Sequence, residues 1–113
     1  MPIFRLAQAV EETRADIAAS GIPGPILGHV GDGNFHAILM VDPARPDEIA
    51  VAKGLADRMA ERSLRLGGTI TGEHGVGFGK LGLMAAELGA GWQLMGAVKR
   101  ALEPLHLMNP GKV

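Results

Sequence analysis

The sequence predicts an α+β fold built from an antiparallel hairpin and several helices. Two long segments, residues 3–20 and 47–66, repeat apolar residues at helical spacing. Between them lie two short runs rich in β-forming residues, 26–30 and 35–41, separated by an Asp-Gly step that favours a tight chain reversal. The predicted order is therefore helix, strand, strand and helix, followed by one short β-segment and two further helices.

The composition fits one small globular domain and excludes several classes of function. The chain has 113 residues, of which 47% are hydrophobic and 20% charged. Its formal net charge of -1 provides no basic surface for nucleic acid or for an anionic membrane. The absence of cysteine excludes disulfides, thiolate metal sites and a cysteine nucleophile. No stretch approaches the roughly 18 apolar residues of a membrane span.

The first helix carries its apolar residues on one face. The predicted members of this inner face are Ile3, Leu6, Ala7, Val10 and Ile17. The glycines and prolines of residues 21–25 end the helix.

The hairpin prediction depends on residues 28–36, GHVGDGNFH. A two-residue type I′ loop at Asp32-Gly33 requires positive φ at both residues, which Asp-Gly sequences favour. This loop would place His29 directly opposite His36, with their Cβ atoms about 4.5–5.5 Å apart. A helix is disfavoured here because three glycines would lie inside it.

The second half of the chain is predicted to be mostly helical. Gly67-Gly68 close the long helix over 47–66. Its predicted inner stripe consists of Ala52, Leu55, Ala56, Met59, Ala60 and Ser63. We expect a short β-segment at Thr69–Thr71, a glycine-rich loop at 72–79, and helices near 81–88 and 92–102.

Two histidines and one glutamate form the candidate metal site. Adjacent imidazoles on paired strands can chelate zinc or a related ion, although exposed histidines without a ligand are the plain alternative. In the stretch TGEHG, Glu73 offers an oxygen ligand next to the imidazole of His74. A site of His29, His36 and Glu73 would leave coordination positions open for substrate. The alternative is a flexible, solvated loop. Neither a phosphate-binding loop nor a dinucleotide-binding pattern fits the glycines of this loop.

Three stretches together resemble one family. GHVGDGNFH at 28–36, TGEHGVG at 71–77 and MNPGK at 108–112 are similar to the C-terminal part of the FAD-linked D-2-hydroxyacid dehydrogenases. This family includes cytochrome-linked D-lactate dehydrogenases, the flavin subunit of glycolate oxidase and D-2-hydroxyglutarate dehydrogenase. The sequences of the first two stretches most resemble those of the D-lactate branch. The resemblance covers about residues 24–113.

The resemblance implies a substrate (cap) domain with a ferredoxin-like half, in which helices cover one face of an antiparallel sheet. We expect residues 1–78 to be part of this cap domain and residues 79–113 to form a C-terminal helical segment. The FAD-binding domain would lie N-terminal to this chain and is absent from it. The ferredoxin-like half of the cap domain would lack its first strand. This would leave an open sheet edge beside residues 35–41. We therefore expect a homodimer or a swapped assembly.

The resemblance also implies roles for individual residues. His29 and His36 resemble histidine ligands of a divalent metal of zinc or manganese type, and Glu73 resembles its carboxylate ligand. His74 resembles the catalytic histidine that contacts substrate near the flavin. Asn109 lies in a closing segment that could contact the flavin. Where hydroxyglutarate dehydrogenases carry a substrate-binding asparagine, this chain has Ile38, which favours a shorter, more apolar acid.

The expected function follows from these roles. The parent flavoprotein would oxidise a D-2-hydroxy acid, of D-lactate or glycolate type, to the 2-oxo acid and pass electrons to a cytochrome or quinone. The fragment alone would be inactive. The alternatives are a structural or assembly fragment with an empty site, and a non-flavin hydrolase that uses the two histidines and the glutamate. We expect a cytoplasmic location, with peripheral membrane association as a further option.

Overall fold

The computed structural model describes all residues, 1–113, and confirms an α+β fold with four α-helices and a small antiparallel sheet. The chain forms two compact units, Met1–Gly72 and Glu73–Val113. The N-terminal unit contains α1 (Ile3–Ser20), β1 (Ile26–Leu27), β2 (His36–Ala37) and α2 (Pro46–Arg65). The C-terminal unit contains α3 (Met84–Leu88) and α4 (Ala90–Leu102). Short 3₁₀ turns at Val30–Asp32 and Leu81–Leu83 complete the order.

All four helices begin and end close to the predicted residues. Helix α1 ends at Gly21, whose φ of 75° lies in the left-handed region that glycine adopts readily. Helix α2 begins with Pro46 and carries Asp47 and Glu48 in its first turn, where acidic side chains favour the helix N-terminus. The basic residues Arg62 and Arg65 lie in its last turn, where the dipole favours cations.

The inner face of α1 differs from the predicted one. Ile3 and Ala7 are exposed, whereas Thr13 is buried. The buried positions of the helix are Leu6, Ala9, Thr13 and Ile17. Thr13 faces inward because its hydroxyl accepts a hydrogen bond from the Arg62 guanidinium of α2. A polar contact with α2 therefore sets the orientation of α1. The apolar pattern of α1 alone contains no information about this contact.

Ion pairs between α1 and α2 surround the same arginine. The Arg62 guanidinium donates to Glu12 at 3.0 Å and also to Asp16. Arg65 adds a second contact to Glu12 at 2.6 Å. The hydrogen bond from Arg62 is the main cause that lowers the pKa of Asp16. The pKa of Glu12 is lowered chiefly by the Gln8 amide and then by the two arginines.

The core of the N-terminal unit lies between the two long helices and the hairpin. The buried apolar residues of this unit are Leu6, Ala9, Ile17, Ile22, Leu55, Ala60, Leu66 and Ile70. Ala56, predicted for the inner stripe of α2, is exposed overall. Nevertheless, it borders a small apolar cleft between α1, α2 and β2. The helices therefore cover one face of the hairpin, as expected.

The hairpin exists, but its predicted turn and register are wrong. Ile26 pairs with Ala37, and Leu27, rather than His29, lies opposite His36. Asp32 belongs to a right-handed 3₁₀ turn, and only Gly33 has a positive φ, of 68°. The chain therefore uses a longer loop with one left-handed glycine instead of a two-residue type I′ turn.

The predicted β-segment at Thr69–Thr71 is also wrong, since these residues form no strand. The sheet contains β1 and β2 alone. A short β-segment is stable only when a neighbouring strand pairs with it. The strands themselves are shorter than predicted, although backbone hydrogen bonds continue the pairing as far as Met40.

The C-terminal unit buries little apolar surface. Met84 is its one buried residue, whereas many large side chains of α4 and the following turns are exposed. These exposed residues include Leu94, Met95, Val98, Leu102, Leu105, Leu107 and Met108. No helix of the chain is both long and apolar enough to cross a membrane.

Candidate metal centre

The hairpin loop brings the two predicted histidine ligands together. The ring centroids of His29 and His36 are 6.0 Å apart, and the ring planes are nearly perpendicular, at 86°. A ring nitrogen of one histidine lies within 4.8 Å of a ring nitrogen of the other. The pairing of imidazoles predicted from the sequence is therefore present, although the turn that produces it differs from the predicted one.

The loop geometry explains how His29 reaches His36 without being its strand partner. The carbonyl of His29 accepts hydrogen bonds from the N–H groups of Asp32, at 2.9 Å, and Asn34, at 3.3 Å. These bonds close a compact loop in which His29 is the last residue before the 3₁₀ turn. His36 begins β2 on the other side of the loop. The two imidazoles therefore lie at the two ends of one short, hydrogen-bonded reversal.

Gly28 is required beside this loop because the chain passes too closely for a side chain. A Cβ atom at this position would lie 2.4 Å from the Asn34 carbonyl oxygen and 2.6 Å from the Phe35 Cα. Any larger residue would push the two arms of the hairpin apart. Gly28, next to His29, therefore allows the close approach of the two hairpin arms that carry the imidazole pair.

Asn34 links the hairpin to the residue that precedes Glu73. A Cβ atom at Gly72 would lie 2.5 Å from the Asn34 Oδ1, so the backbone of Gly72 packs directly on that side chain. Asn34 was not among the residues singled out from the sequence. In the sequence, Gly72 alone could have indicated this contact. One glycine within a glycine-rich loop, however, does not predict which residue packs against it.

The remaining predicted residues lie in the C-terminal unit. Glu73 and His74 are exposed in a bend that begins at Gly72. Asn109 has a φ of 45° and begins a turn in which the Lys112 N–H donates to its carbonyl at 3.3 Å. Pro110 and Gly111, with a φ of 83° at the glycine, fit the two central positions of a type II turn. This turn explains the Asn-Pro-Gly sequence structurally, and the flavin contact of Asn109 stays a prediction.

The two histidines suit a divalent metal ion by their chemistry and spacing. Zinc binds imidazole nitrogen at about 2.0–2.1 Å, so two nitrogens on one ion lie no more than about 4.2 Å apart. The nitrogens of His29 and His36, within 4.8 Å of each other, need at most a small side-chain rotation to meet this limit. His29 is exposed and His36 half-buried, which leaves the pair accessible to a ligand.

Comparisons with known proteins give a consistent result. The sequence pattern of the family described as "FAD linked oxidases, C-terminal domain" matches residues 1–113. A probable mitochondrial D-lactate dehydrogenase of Danio rerio is 47% identical over 114 residues, which cover 100% of this chain and 23% of that protein. The mitochondrial D-lactate dehydrogenase (cytochrome) 1 of Saccharomyces cerevisiae is 42% identical over 100% of this chain and 19% of its own length.

A bacterial protein named for a different enzyme is also similar to this chain. The glycolate oxidase subunit GlcD of Bacillus subtilis is 40% identical over 114 residues, which cover 100% of this chain and 24% of that protein. The chain therefore spans about a fifth to a quarter of the length of the curated relatives it matches.

Proposed function

The chain belongs to the family of FAD-linked oxidase C-terminal domains, and from that membership we propose that it forms the metal- and substrate-binding part of a flavoprotein. The proposed flavoprotein oxidises a D-2-hydroxy acid, of D-lactate or glycolate type, to the 2-oxo acid. The substrate class is supported by the names of the relatives, which are D-lactate dehydrogenases and glycolate oxidase subunits. The observation that carries the proposal is the pair of imidazoles at the hairpin loop.

We assign His29 and His36 as two metal ligands and Glu73 as the third. The assignment of Glu73 is supported by chain connectivity. Gly72 packs on the Asn34 side chain, within the hairpin loop that also carries both histidines. Consecutive Cα atoms are about 3.8 Å apart, so the backbone of Glu73 begins one residue from this loop. A glutamate side chain is long enough to extend from that point towards the imidazoles.

Each bound group would supply one part of the chemistry. Held by His29, His36 and Glu73, a divalent ion of zinc or manganese type would supply Lewis-acid chemistry towards a 2-hydroxy acid. FAD, held mainly by a domain outside this chain, would supply the hydride acceptor for the oxidation. We propose a cytochrome or a quinone as the electron acceptor, in line with the word cytochrome in the name of the yeast relative.

The chain's own residues bind and orient the substrate and accept its proton. We propose that the His74 imidazole takes the proton of the 2-hydroxyl group as a general base. Ile38 extends from the same face of β2 as His36, since residues two apart on a strand share a face. It is half exposed and offers an apolar contact to a short alkyl substituent. Asn109 is proposed as a flavin contact. Without the flavin the isolated chain has no hydride acceptor, and we propose that it is inactive alone.

The metal assignment is tested by zinc or manganese titration of the 113-residue chain, with calorimetry and elemental analysis as readouts. We expect about one ion per chain, and His36→Ala is expected to weaken binding by at least about ten-fold because it removes a ligand. His106→Asn is the matched control, because His106 lies in the C-terminal unit with a φ of 54° that asparagine tolerates. Equal affinities of His36→Ala and the unmodified chain would contradict the assignment.

A further inference from the structure

Asn34 lies where the hairpin loop meets the segment that leads to Glu73. Its N–H donates to the His29 carbonyl at 3.3 Å. Its carbonyl oxygen occupies the space that a side chain at Gly28 would need, since a Cβ atom there would lie 2.4 Å away. The backbone of Asn34 is therefore part of the loop that carries the two histidines.

The side chain of Asn34 makes a different contact, with the backbone of Gly72. A Cβ atom at Gly72 would lie 2.5 Å from the Oδ1, 2.7 Å from the Cγ and 3.0 Å from the Nδ2 of Asn34. The heavy atoms of the carboxamide group therefore pack over one face of the glycine Cα. Because glycine has more backbone freedom than any other residue, this half-buried side chain restricts the path of the chain at Gly72.

We propose that Asn34 is a positioning residue of the metal centre. Its carboxamide fixes the backbone at Gly72, and thereby the point from which the Glu73 side chain extends towards the imidazole pair. Asn34 itself does not bind the ion. Mutation of residues that orient metal ligands typically lowers metal affinity by about 10–100-fold. The inference rests on the proposed assignment of Glu73 as the third ligand.

The backbone and the side chain of Asn34 serve different ligands, and one substitution separates them. Asn34→Ala removes the carboxamide but keeps the N–H that donates to the His29 carbonyl. The φ of Asn34 is not positive, so alanine adopts the same backbone conformation without strain. Asn34→Ala should therefore leave the loop with both histidines in place and release Gly72.

The test is zinc titration of the 113-residue chain, followed by calorimetry, in a double-mutant cycle of Asn34→Ala and Glu73→Ala. Asn34→Ala is expected to weaken zinc binding by about ten-fold. In a chain that already carries Glu73→Ala, the same substitution is expected to change the affinity by less than about two-fold, because the ligand that Asn34 positions is gone.

Two glycines of the same loop provide a second pair of variants. Gly72→Ala is expected to weaken zinc binding as Asn34→Ala does, because its Cβ would displace the carboxamide from the other side of the contact. Gly75→Ala is the matched control, since nothing lies within 4 Å of the added atom. It is expected to leave the zinc affinity unchanged.

Cobalt(II) in place of zinc gives a readout that a loss of stability alone would not reproduce, because its visible absorption changes with the ligand set and geometry. The cobalt spectrum of Asn34→Ala is expected to match that of Glu73→Ala and to differ from that of the unmodified chain.

Equal zinc affinities and cobalt spectra of Asn34→Ala and the unmodified chain would overturn the positioning role. Losses of affinity from Asn34→Ala and Glu73→Ala that simply add would also overturn it. If His36→Ala still weakens binding in either case, the metal site stands and only the role of Asn34 is wrong. Full zinc affinity in both His36→Ala and Glu73→Ala would instead refute the proposed metal site, and the positioning role with it.

Discussion

Replacement of Arg62 by methionine is expected to destabilise the N-terminal unit by about 2–3 kcal/mol, because hydrogen bonds to charged groups contribute about 1.5–3 kcal/mol each. The Arg62 side chain is 11% exposed and donates to Glu12, Thr13 and Asp16. The two carboxylate side chains keep 35% and 30% of their surface in water, so water replaces part of the lost bonding. The expected loss is therefore well below the sum over three bonds.

Urea unfolding at neutral pH, followed by circular dichroism, measures this loss as a change in the midpoint at constant slope. Arg58→Met is the matched control, because Arg58 is 53% exposed and contacts Asp16 at 3.6 Å without burial. An exposed pair of this kind contributes at most about 1 kcal/mol. The reasoning is refuted if Arg62→Met and Arg58→Met unfold at the same urea concentration.

Two further predictions concern acid and the hairpin. The pKa values of Glu12 and Asp16 are lowered in the folded chain, so the unfolded chain binds more protons at low pH. The stability that they provide is present above their ordinary pKa range and should be lost as the pH falls from about 5 to 3. Acid unfolding curves should show a smaller loss of stability over this pH range in Arg62→Met than in the unmodified chain. Gly28→Ala should destabilise the chain by about 1–3 kcal/mol and weaken zinc binding, since its Cβ would meet a carbonyl oxygen at 2.4 Å. Gly31→Ala, with nothing within 4 Å of the added atom, is the control, and equal urea midpoints and zinc affinities of the two variants would contradict the role of Gly28.

The helices could be predicted closely from the sequence because their signals are local. Apolar periodicity and the breakers at Gly21 and Gly67 lie within or next to the segments they define. The orientation of α1 could not be predicted, because the inward position of Thr13 depends on Arg62, 49 residues later. A pattern within one helix contains no information about a polar partner on another.

The hairpin shows how a wrong register can still give the right pair of residues. The observed pairing is displaced by two residues from the predicted one, so that His36 lies opposite Leu27 instead of His29. Because side chains alternate with a period of two, such a displacement leaves every side chain on its predicted face. His29 still comes close to His36, as the ring distance of 6.0 Å shows. The roles of Glu73, His74 and Asn109 in binding and catalysis stay predictions, since local sequence cannot establish them.

The apolar side chains of α4 and the following turns have a consequence for handling the protein. Leu94, Val98 and Leu102 recur every four residues, and all three are at least half exposed, with Leu102 at 82%. An exposed apolar row of this kind associates readily with other apolar surfaces. The 41 residues of the C-terminal unit are too few to bury it. Mild detergent or low ionic strength should therefore keep purified material dispersed, because both weaken the association of apolar surfaces.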